Sequence, residues 1–160
     1  MRESRRAADA NVHVADYMKE QYDADKAERA EEVRWRQWAL LQSLKRECGF
    51  IRHGYENGTI ALMRLPTWEQ SRFEVTLWFP ALALPLNAVD LNAQSLNTTV
   101  ERLFTISTSA EEINAGKKVI IEQMKGILST VTHAMEEIDR VAVEWQRRSR
   151  PVKTVEGSPP

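Results

Sequence analysis

The chain has 160 residues, which is the size of one ordinary domain and long enough to bury a hydrophobic core. Its 22 basic and 23 acidic side chains nearly cancel, and no stretch offers the one-signed field expected of a dedicated nucleic-acid-binding protein. The single cysteine, Cys48, excludes an internal disulfide. The first residues lack the apolar region of a signal peptide, and prolines interrupt the longest apolar run. We therefore predict no membrane span and a cytoplasmic or otherwise intracellular location.

Residues 1–47 predict one or two helices, because they contain neither proline nor glycine and are rich in Ala, Glu, Arg, Lys and Gln. Within them, residues 1–32 are charged and weakly apolar, and we expect a helical extension that projects, frays or pairs with a partner. Large apolar side chains become frequent from residue 33, and Gly49 predicts the end of the helix. We expect a single domain over 33–148 and a disordered tail over 149–160.

Residues 50–79 change to the period of a β-sheet. Asn57-Gly58 stands between two apolar runs, 50–56 and 59–65, and this dipeptide is the strongest short-range signal for a β-hairpin, since a type I′ turn needs positive φ at both central positions. After a short loop, apolar and polar side chains alternate over 72–79, as in a half-buried strand. The pattern predicts a three-stranded antiparallel meander whose apolar face the helices must cover.

Residues 80–97 predict an extended connector, because Pro80 and Pro85 argue against a central strand. A T-x-x-E capping box then predicts a short helix over 98–106.

The best-defined element is a helix over 110–148, which begins at an S-x-x-E capping box formed by Ser109 and Glu112. Apolar residues recur along it at alternating steps of 4 and 3, which makes an unbroken heptad seam. The seam residues are Ile120, Met124, Ile127, Val131, Ala134, Ile138, Val141 and Trp145. Such a seam packs either within the chain or against another copy or a partner, and the length of the helix favours assembly.

These elements predict an α+β fold in the order α–β–β–β–α–α. The order of one helix, a three-stranded meander and another helix is similar to the first half of secretion-type chaperones, which implies binding of an unfolded client segment. The run CGFIRHGYENGTIAL (48–62), continuing to LNTT (96–99), resembles kinetochore adaptors, in which a coiled coil leads into a small α+β domain.

The sequence predicts no catalytic residue, no metal site and no cofactor. The three histidines, His13, His53 and His133, lie on three different predicted elements, whereas a metal site needs three or four converging ligands. Cys48 is predicted to be a small buried apolar side chain, and no glycine-rich phosphate loop is present.

We therefore expect a non-catalytic protein–protein interaction or assembly subunit, an adaptor or scaffold, that binds a protein partner or itself through amphipathic helices. No small-molecule substrate or nucleic-acid partner is evident; a client-binding chaperone and a kinetochore-like adaptor are the alternatives, and an enzyme is the least favoured class. The candidate partner-binding residues are Trp35, Trp38, Leu41, Leu44, Trp68, Ile120, Met124, Ile127, Val131, Ile138, Val141 and Trp145. Tryptophan is enriched at interface hot spots, and Trp68 lies in a predicted turn, where burial is not guaranteed.

Overall fold

A computed structural model describes residues 2–58, 63–106 and 109–149, with side chains from residue 13 onward except that of residue 106. The described residues form four helices, named α1 (Arg2–Glu56), α2 (Pro66–Trp78), α3 (Pro80–Ile106) and α4 (Ala110–Ser149). No strand occurs among these described residues. The predicted α+β class is therefore wrong, and the described part of the chain is all-helical.

The predicted β-meander is wrong in each strand that the structure describes. The first predicted strand, 50–56, forms the end of α1, and the third, 72–79, lies almost entirely within α2. Of the second predicted strand, residues 59–62 lie outside the described residues, and 63–65 form no strand.

Helix α1 continues past Gly49, where we predicted its end, because apolar residues recur at helical steps of 3 and 4 on both sides of that glycine. These buried residues are Leu41, Leu44, Cys48, Ile51 and Tyr55. Burial of these five side chains outweighs the roughly 1 kcal/mol by which glycine is less favourable than alanine inside a helix. The helix ends at a turn formed by Asn57 and Gly58. Gly58 has the predicted positive φ, at 67°, but Asn57 does not, so the predicted type I′ turn is wrong. The turn follows a helix instead of joining two strands.

The alternating run in α2 fits a helix because it contains two apolar pairs with four-residue spacing. Val75 and Phe79 are buried, whereas Phe73 and Leu77 are 79% and 64% exposed. Residues two apart lie about 200° apart around a helix, so one pair faces the core and the other faces away from it.

The predicted extended connector over 80–97 and the separate short helix over 98–106 are also wrong, since both belong to α3. Pro80 occupies the first position of α3. A backbone N–H at that position would have no intrahelical acceptor, so the absence of this group in proline costs no hydrogen bond. Pro85 lies inside the helix and removes one hydrogen bond. Buried apolar side chains on both sides of Pro85 offset that loss. They are Leu82, Leu86, Val89, Ala93, Leu96, Val100 and Leu103.

The predicted long helix is confirmed as α4, which has 40 residues and is about 60 Å long. The capping box at its start is confirmed as well. The Glu112 backbone N–H donates to the Ser109 hydroxyl (3.2 Å), and the Ser109 N–H donates to the Glu112 carboxylate (3.3 Å). These two bonds satisfy N–H groups that the first turn of a helix otherwise leaves without a partner.

The chain divides into two compact units, Met1–Gln37 and Trp38–Pro160. The first unit contains only the beginning of α1, and every side chain described from residue 13 to residue 36 is exposed. The second unit contains the rest of α1 together with α2, α3 and α4. Most of the predicted disordered tail, residues 150–160, lies outside the described residues.

Within the second unit, α4 runs antiparallel to α1 and to α3, because residue numbers fall along α4 as they rise along each of these two helices. The contacts are Trp38–Trp145 and Lys45–Asp139 between α1 and α4, and Asn92–Thr130 and Leu103–Gly116 between α3 and α4. Arg72–Asp90 joins α2 to α3, and Glu47–Thr67 joins α1 to α2. The described part of the second unit is therefore a four-helix bundle.

The buried residues of all four helices form one hydrophobic cluster in this bundle. Most of the heptad seam of α4 belongs to it, with Ile120, Val131 and Ala134 fully buried. Among the described helices, none is long and apolar enough to cross a membrane.

Substitution of the seam residue Ile127 by alanine should lower the free energy of unfolding by about 2–5 kcal/mol, because Ile127 is 2% exposed and its loss leaves a cavity. Ile121 lies on the same helix and is 50% exposed, so Ile121→Ala should change that free energy by less than about 1 kcal/mol. Urea denaturation followed by circular dichroism measures both values. Equal losses from the two substitutions would contradict the placement of the seam in the core.

Candidate functional site

Of the predicted partner-binding residues, only Trp35 is exposed, at 67%. Trp38, Val141 and Trp145 are partly buried against the core cluster or near it. The remaining residues are buried: Leu41, Leu44, Trp68, Ile120, Met124, Ile127, Val131 and Ile138. These eight side chains already pack within a single copy of the chain.

Trp38 and Trp145 form an aromatic contact between α1 and α4. Their ring centroids lie 5.2 Å apart with planes inclined by 23°, which is a stacked arrangement. The structure thus brings together two residues that the sequence suggested as separate partner contacts, and it uses them to pack one helix on another.

The first unit carries an exposed apolar stripe, which we call the α1 stripe: Val14, Tyr17, Met18 and Tyr22. Their exposed fractions range from 57% for Val14 to 68% for Tyr22. The spacing i, i+3, i+4 and i+8 places all four on one side of the helix. Gln21 Nε2 donates to the Tyr17 hydroxyl (2.9 Å), so the polar tip of that tyrosine has a hydrogen-bond partner on the same helix.

The same side of α1 continues beyond Tyr22 as a charged surface. Asp25, Arg29 and Glu32 follow at steps of 3, 4 and 3, and all three are exposed. This side of α1 is therefore apolar for about two turns from Val14 to Tyr22, and it carries charges of alternating sign over the next two turns.

A polar cleft of about 420 Å³ lies in the second unit beside Glu69, Asp90, Asn97 and Glu101. Its deepest polar groups already have partners. The Asp90 side chain is almost fully buried, and its Oδ2 accepts a hydrogen bond from Arg72 Nη2 (3.1 Å). Asn97 Nδ2 donates to the carbonyl of Met63 (2.8 Å), and Asn97 Oδ1 accepts from the Met63 N–H (3.1 Å). These groups hold helices and the segment before α2 together.

The Arg72 guanidinium also lies 5.0 Å from the ring centre of Trp68. The aromatic face and the carboxylate of Asp90 therefore hold it from two directions. Trp68 was predicted to lie in a turn, but it is buried in α2 and forms part of this packing.

Removing the Arg72 charge by Arg72→Met should lower the free energy of unfolding by about 1–3 kcal/mol, because the buried Asp90 carboxylate loses its partner. Lys125→Met is the matched control, since Lys125 pairs with Glu122 while both side chains are mostly exposed. That pair should contribute less than about 1 kcal/mol. Urea denaturation of both variants measures the difference, and an Arg72→Met variant as stable as Lys125→Met would contradict a structural role for the Asp90 pair.

The prediction that Cys48 is a buried apolar side chain is confirmed. Burial, with a smaller effect from the charge of Glu47, raises the pKa of Cys48 from 9.0 to about 12. The thiol therefore stays protonated at neutral pH, which does not favour a nucleophilic role. Across the residues that the structure describes, no group of three His, Cys, Asp or Glu side chains could hold a metal ion.

Burial likewise raises the pKa of Tyr55 from 10.0 to about 12. The folded chain keeps the proton over a range where the unfolded chain releases it, so this contribution to stability is present below pH 10 and is lost as the pH rises toward 12. Between pH 10 and pH 12, we expect the Tyr55 hydroxyl to lower the free energy of unfolding by up to about 1.4 kcal/mol per pH unit.

The Tyr55→Phe variant should therefore lose stability less steeply than the natural protein between pH 10 and pH 12. Val75→Ala, which alters a buried side chain without a titratable proton, should leave the slope unchanged. Urea denaturation at several alkaline pH values tests this, and identical slopes for Tyr55→Phe and the natural protein would refute it.

No family model matches this chain, and no match was found among curated proteins or solved structures.

Proposed function

We propose that this chain is a non-catalytic interaction subunit that uses the beginning of α1 to bind an amphipathic helix of a second protein. One observation carries the proposal: every described side chain from residue 13 to residue 36 is exposed, and these residues include the α1 stripe. Most helices in proteins are stabilised by packing an apolar side against something else.

The α1 stripe has the chemistry of a helix-binding surface. Two tyrosines, one methionine and one valine stand at i, i+3, i+4 and i+8, which is the spacing of anchors in helix-in-groove recognition. Tyrosine is enriched among interface hot spots, and methionine adapts to irregular partner surfaces. Burying the area that these side chains still expose would contribute roughly 1–2 kcal/mol each.

The charges that follow the stripe favour a different protein as the partner. A parallel, in-register pair of identical α1 segments would set Asp25 beside Asp25 and Arg29 beside Arg29, and such like-charge pairs are destabilising. A helix that presents an apolar stripe and then a cation, an anion and a cation would instead complement Asp25, Arg29 and Glu32. We therefore assign the site to a heterologous helix of that pattern.

The alternative functions have less support. The resemblances to secretion-type chaperones and kinetochore adaptors depended on the three-stranded meander, which the described residues do not form. The polar cleft gives an enzyme little support, because two of its polar groups, Asp90 and Asn97, are engaged with Arg72 and Met63 in holding the fold together. An intracellular location stays a prediction.

Photo-crosslinking in the cells that express the protein tests this proposal. With p-benzoyl-phenylalanine in place of Met18, we expect one discrete covalent adduct to a different protein. The same group in place of Asp16, about 200° away around the helix, should give much less of it. Tyr17→Lys combined with Tyr22→Lys should abolish the adduct at position 18, because two cations enter the apolar contact.

Equal adducts from positions 16 and 18, or an adduct that survives the two lysine substitutions, would contradict a specific site on the α1 stripe. An adduct with twice the mass of the chain would show that the stripe binds a second copy, and the heterologous assignment would fail.

A further inference from the structure

The sequence between Val75 and Val100 is almost free of charge. These 26 residues contain one charged side chain, Asp90, whereas 28% of the whole chain is charged. Asp90 is buried and pairs with Arg72. Every exposed side chain described between Val75 and Val100 is therefore uncharged.

Large apolar side chains stand exposed within and beside this stretch. Leu84 and Leu91 of α3 are 82% and 56% exposed, and they are seven residues apart, which puts them on one side of the helix. Phe73 and Leu77 of α2 are 79% and 64% exposed and are four residues apart. We call these four residues the uncharged face.

The two halves of the uncharged face lie on neighbouring helices. The Arg72–Asp90 pair fixes α2 against α3, and Phe73 and Leu91 are each adjacent in sequence to one member of that pair. Both apolar pairs also point away from the core, because a step of two residues corresponds to about 200° around a helix. Phe73 and Leu77 each lie two residues from the buried Val75. Leu84 lies two residues from the buried Leu82 and Leu86, and Leu91 lies two residues from the buried Val89.

Around the four apolar side chains, the exposed residues are small or neutral: Thr76, Pro80, Ala81, Gln94, Ser95 and Thr98. Two charged residues flank Phe73: Arg72, whose half-exposed side chain pairs with Asp90, and Glu74, which is partly buried. Glu69 and Glu101 lie at the margin. An apolar centre inside a polar rim is the composition of a protein interface.

We propose that the uncharged face binds the same face of a second copy of this chain. Arg72, the cation beside this face, is already paired with Asp90, so a charge placed against the face would lose its hydration without gaining a free counter-ion. The face therefore needs a partner surface that offers no charge. The face itself is such a surface, and a twofold axis brings it against its own copy. Binding to an anionic membrane surface would draw on unpaired Lys or Arg beside the apolar residues, whereas Arg72 beside this face is paired with Asp90.

The size of the face fits such a contact. From Pro80 to Thr98, α3 runs for about 27 Å, and two packed helices are roughly 18–20 Å wide. The projected area is therefore on the order of 500 Å², and the accessible area of a ridged helix surface is larger. A standard interface buries about 800 Å² per partner, so we expect a specific homodimer near the lower end of stable interfaces.

Light scattering combined with size exclusion, over a hundredfold range of concentration, tests the proposal on the full chain. At high concentration the natural protein should have twice the mass of the 18.4 kDa monomer, and on dilution its mass should fall toward that of the monomer. Leu84→Lys combined with Leu91→Lys should give a monomer at every concentration, with unchanged helix content by circular dichroism. If the lysines unfold the chain, Leu84→Gln combined with Phe73→Gln provides a milder variant. This variant should weaken dimerisation at least tenfold.

Two controls separate this face from other surfaces. Ile121→Lys combined with Val143→Lys alters apolar residues of α4 that are about half exposed, and the dimer should persist. Tyr17→Lys combined with Tyr22→Lys alters the α1 stripe, and the dimer should persist in this variant too. Because the two proposals use different surfaces, the homodimer and the proposed function can fail separately.

A natural protein that is monomeric at every concentration would overturn the proposal. So would a dimer that dissociates when the α1 stripe or α4 is altered but persists with Leu84→Lys and Leu91→Lys. Binding of a monomer to phosphatidylcholine vesicles that is lost with Leu84→Lys and Leu91→Lys would replace the second copy by a lipid surface.

Discussion

The structure of the second unit depends on the burial of the α4 seam. The seam repeats at steps of 4 and 3. Helices α1 and α3, which each run antiparallel to α4, contact it at Lys45–Asp139 and at Asn92–Thr130 respectively. A helix with this repeat needs apolar neighbours along its length, and the chain supplies them from its own helices. The consequence for function is direct, because a seam that is satisfied within one copy is not available to a partner.

The parts of the fold that the sequence predicted are those in which two independent signals agree. For α4, the capping box of Ser109 and Glu112 marks the start, and the heptad seam marks the helical period over the same residues. The prediction of a β-meander was wrong because each of its parts rested on a single signal, such as the Asn57-Gly58 turn. Asn57-Gly58 does form a turn, with positive φ at Gly58, but Asn-Gly can end a helix as well as join two strands.

Period alone could not decide the structure of residues 72–79. Phe73, Val75, Leu77 and Phe79 alternate with polar residues, as in a half-buried strand. In a helix, the same four residues make two pairs at four-residue spacing on opposite sides. A strand accounts for all four as one apolar side, whereas a helix leaves Phe73 and Leu77 exposed. The prediction assumed that apolar residues are buried, and this assumption fails for Phe73 and Leu77.

The candidate surfaces were less predictable than the fold, and for the same reason. Leu41, Leu44 and the α4 seam were selected for their apolar character, which core residues share with interface residues. The absence of charge over residues 75–100 was visible in the sequence, but two prolines suggested a connector, so no side was assigned to Leu84 or Leu91. Only the three-dimensional placement separates buried apolar residues from exposed ones.

The two surfaces also have different chemistry, which suits different partners. The α1 stripe is followed by Asp25, Arg29 and Glu32, and a charge pattern of this kind selects among partners, because the wrong pattern leaves like charges facing each other. The uncharged face has no such means of selection, but a contact between identical faces needs none, since the partner is supplied by the same gene product. A homodimer would carry two α1 stripes. A partner with two suitable helices would then bind through a second, effectively intramolecular step, and modest affinity at each stripe would give tight binding overall.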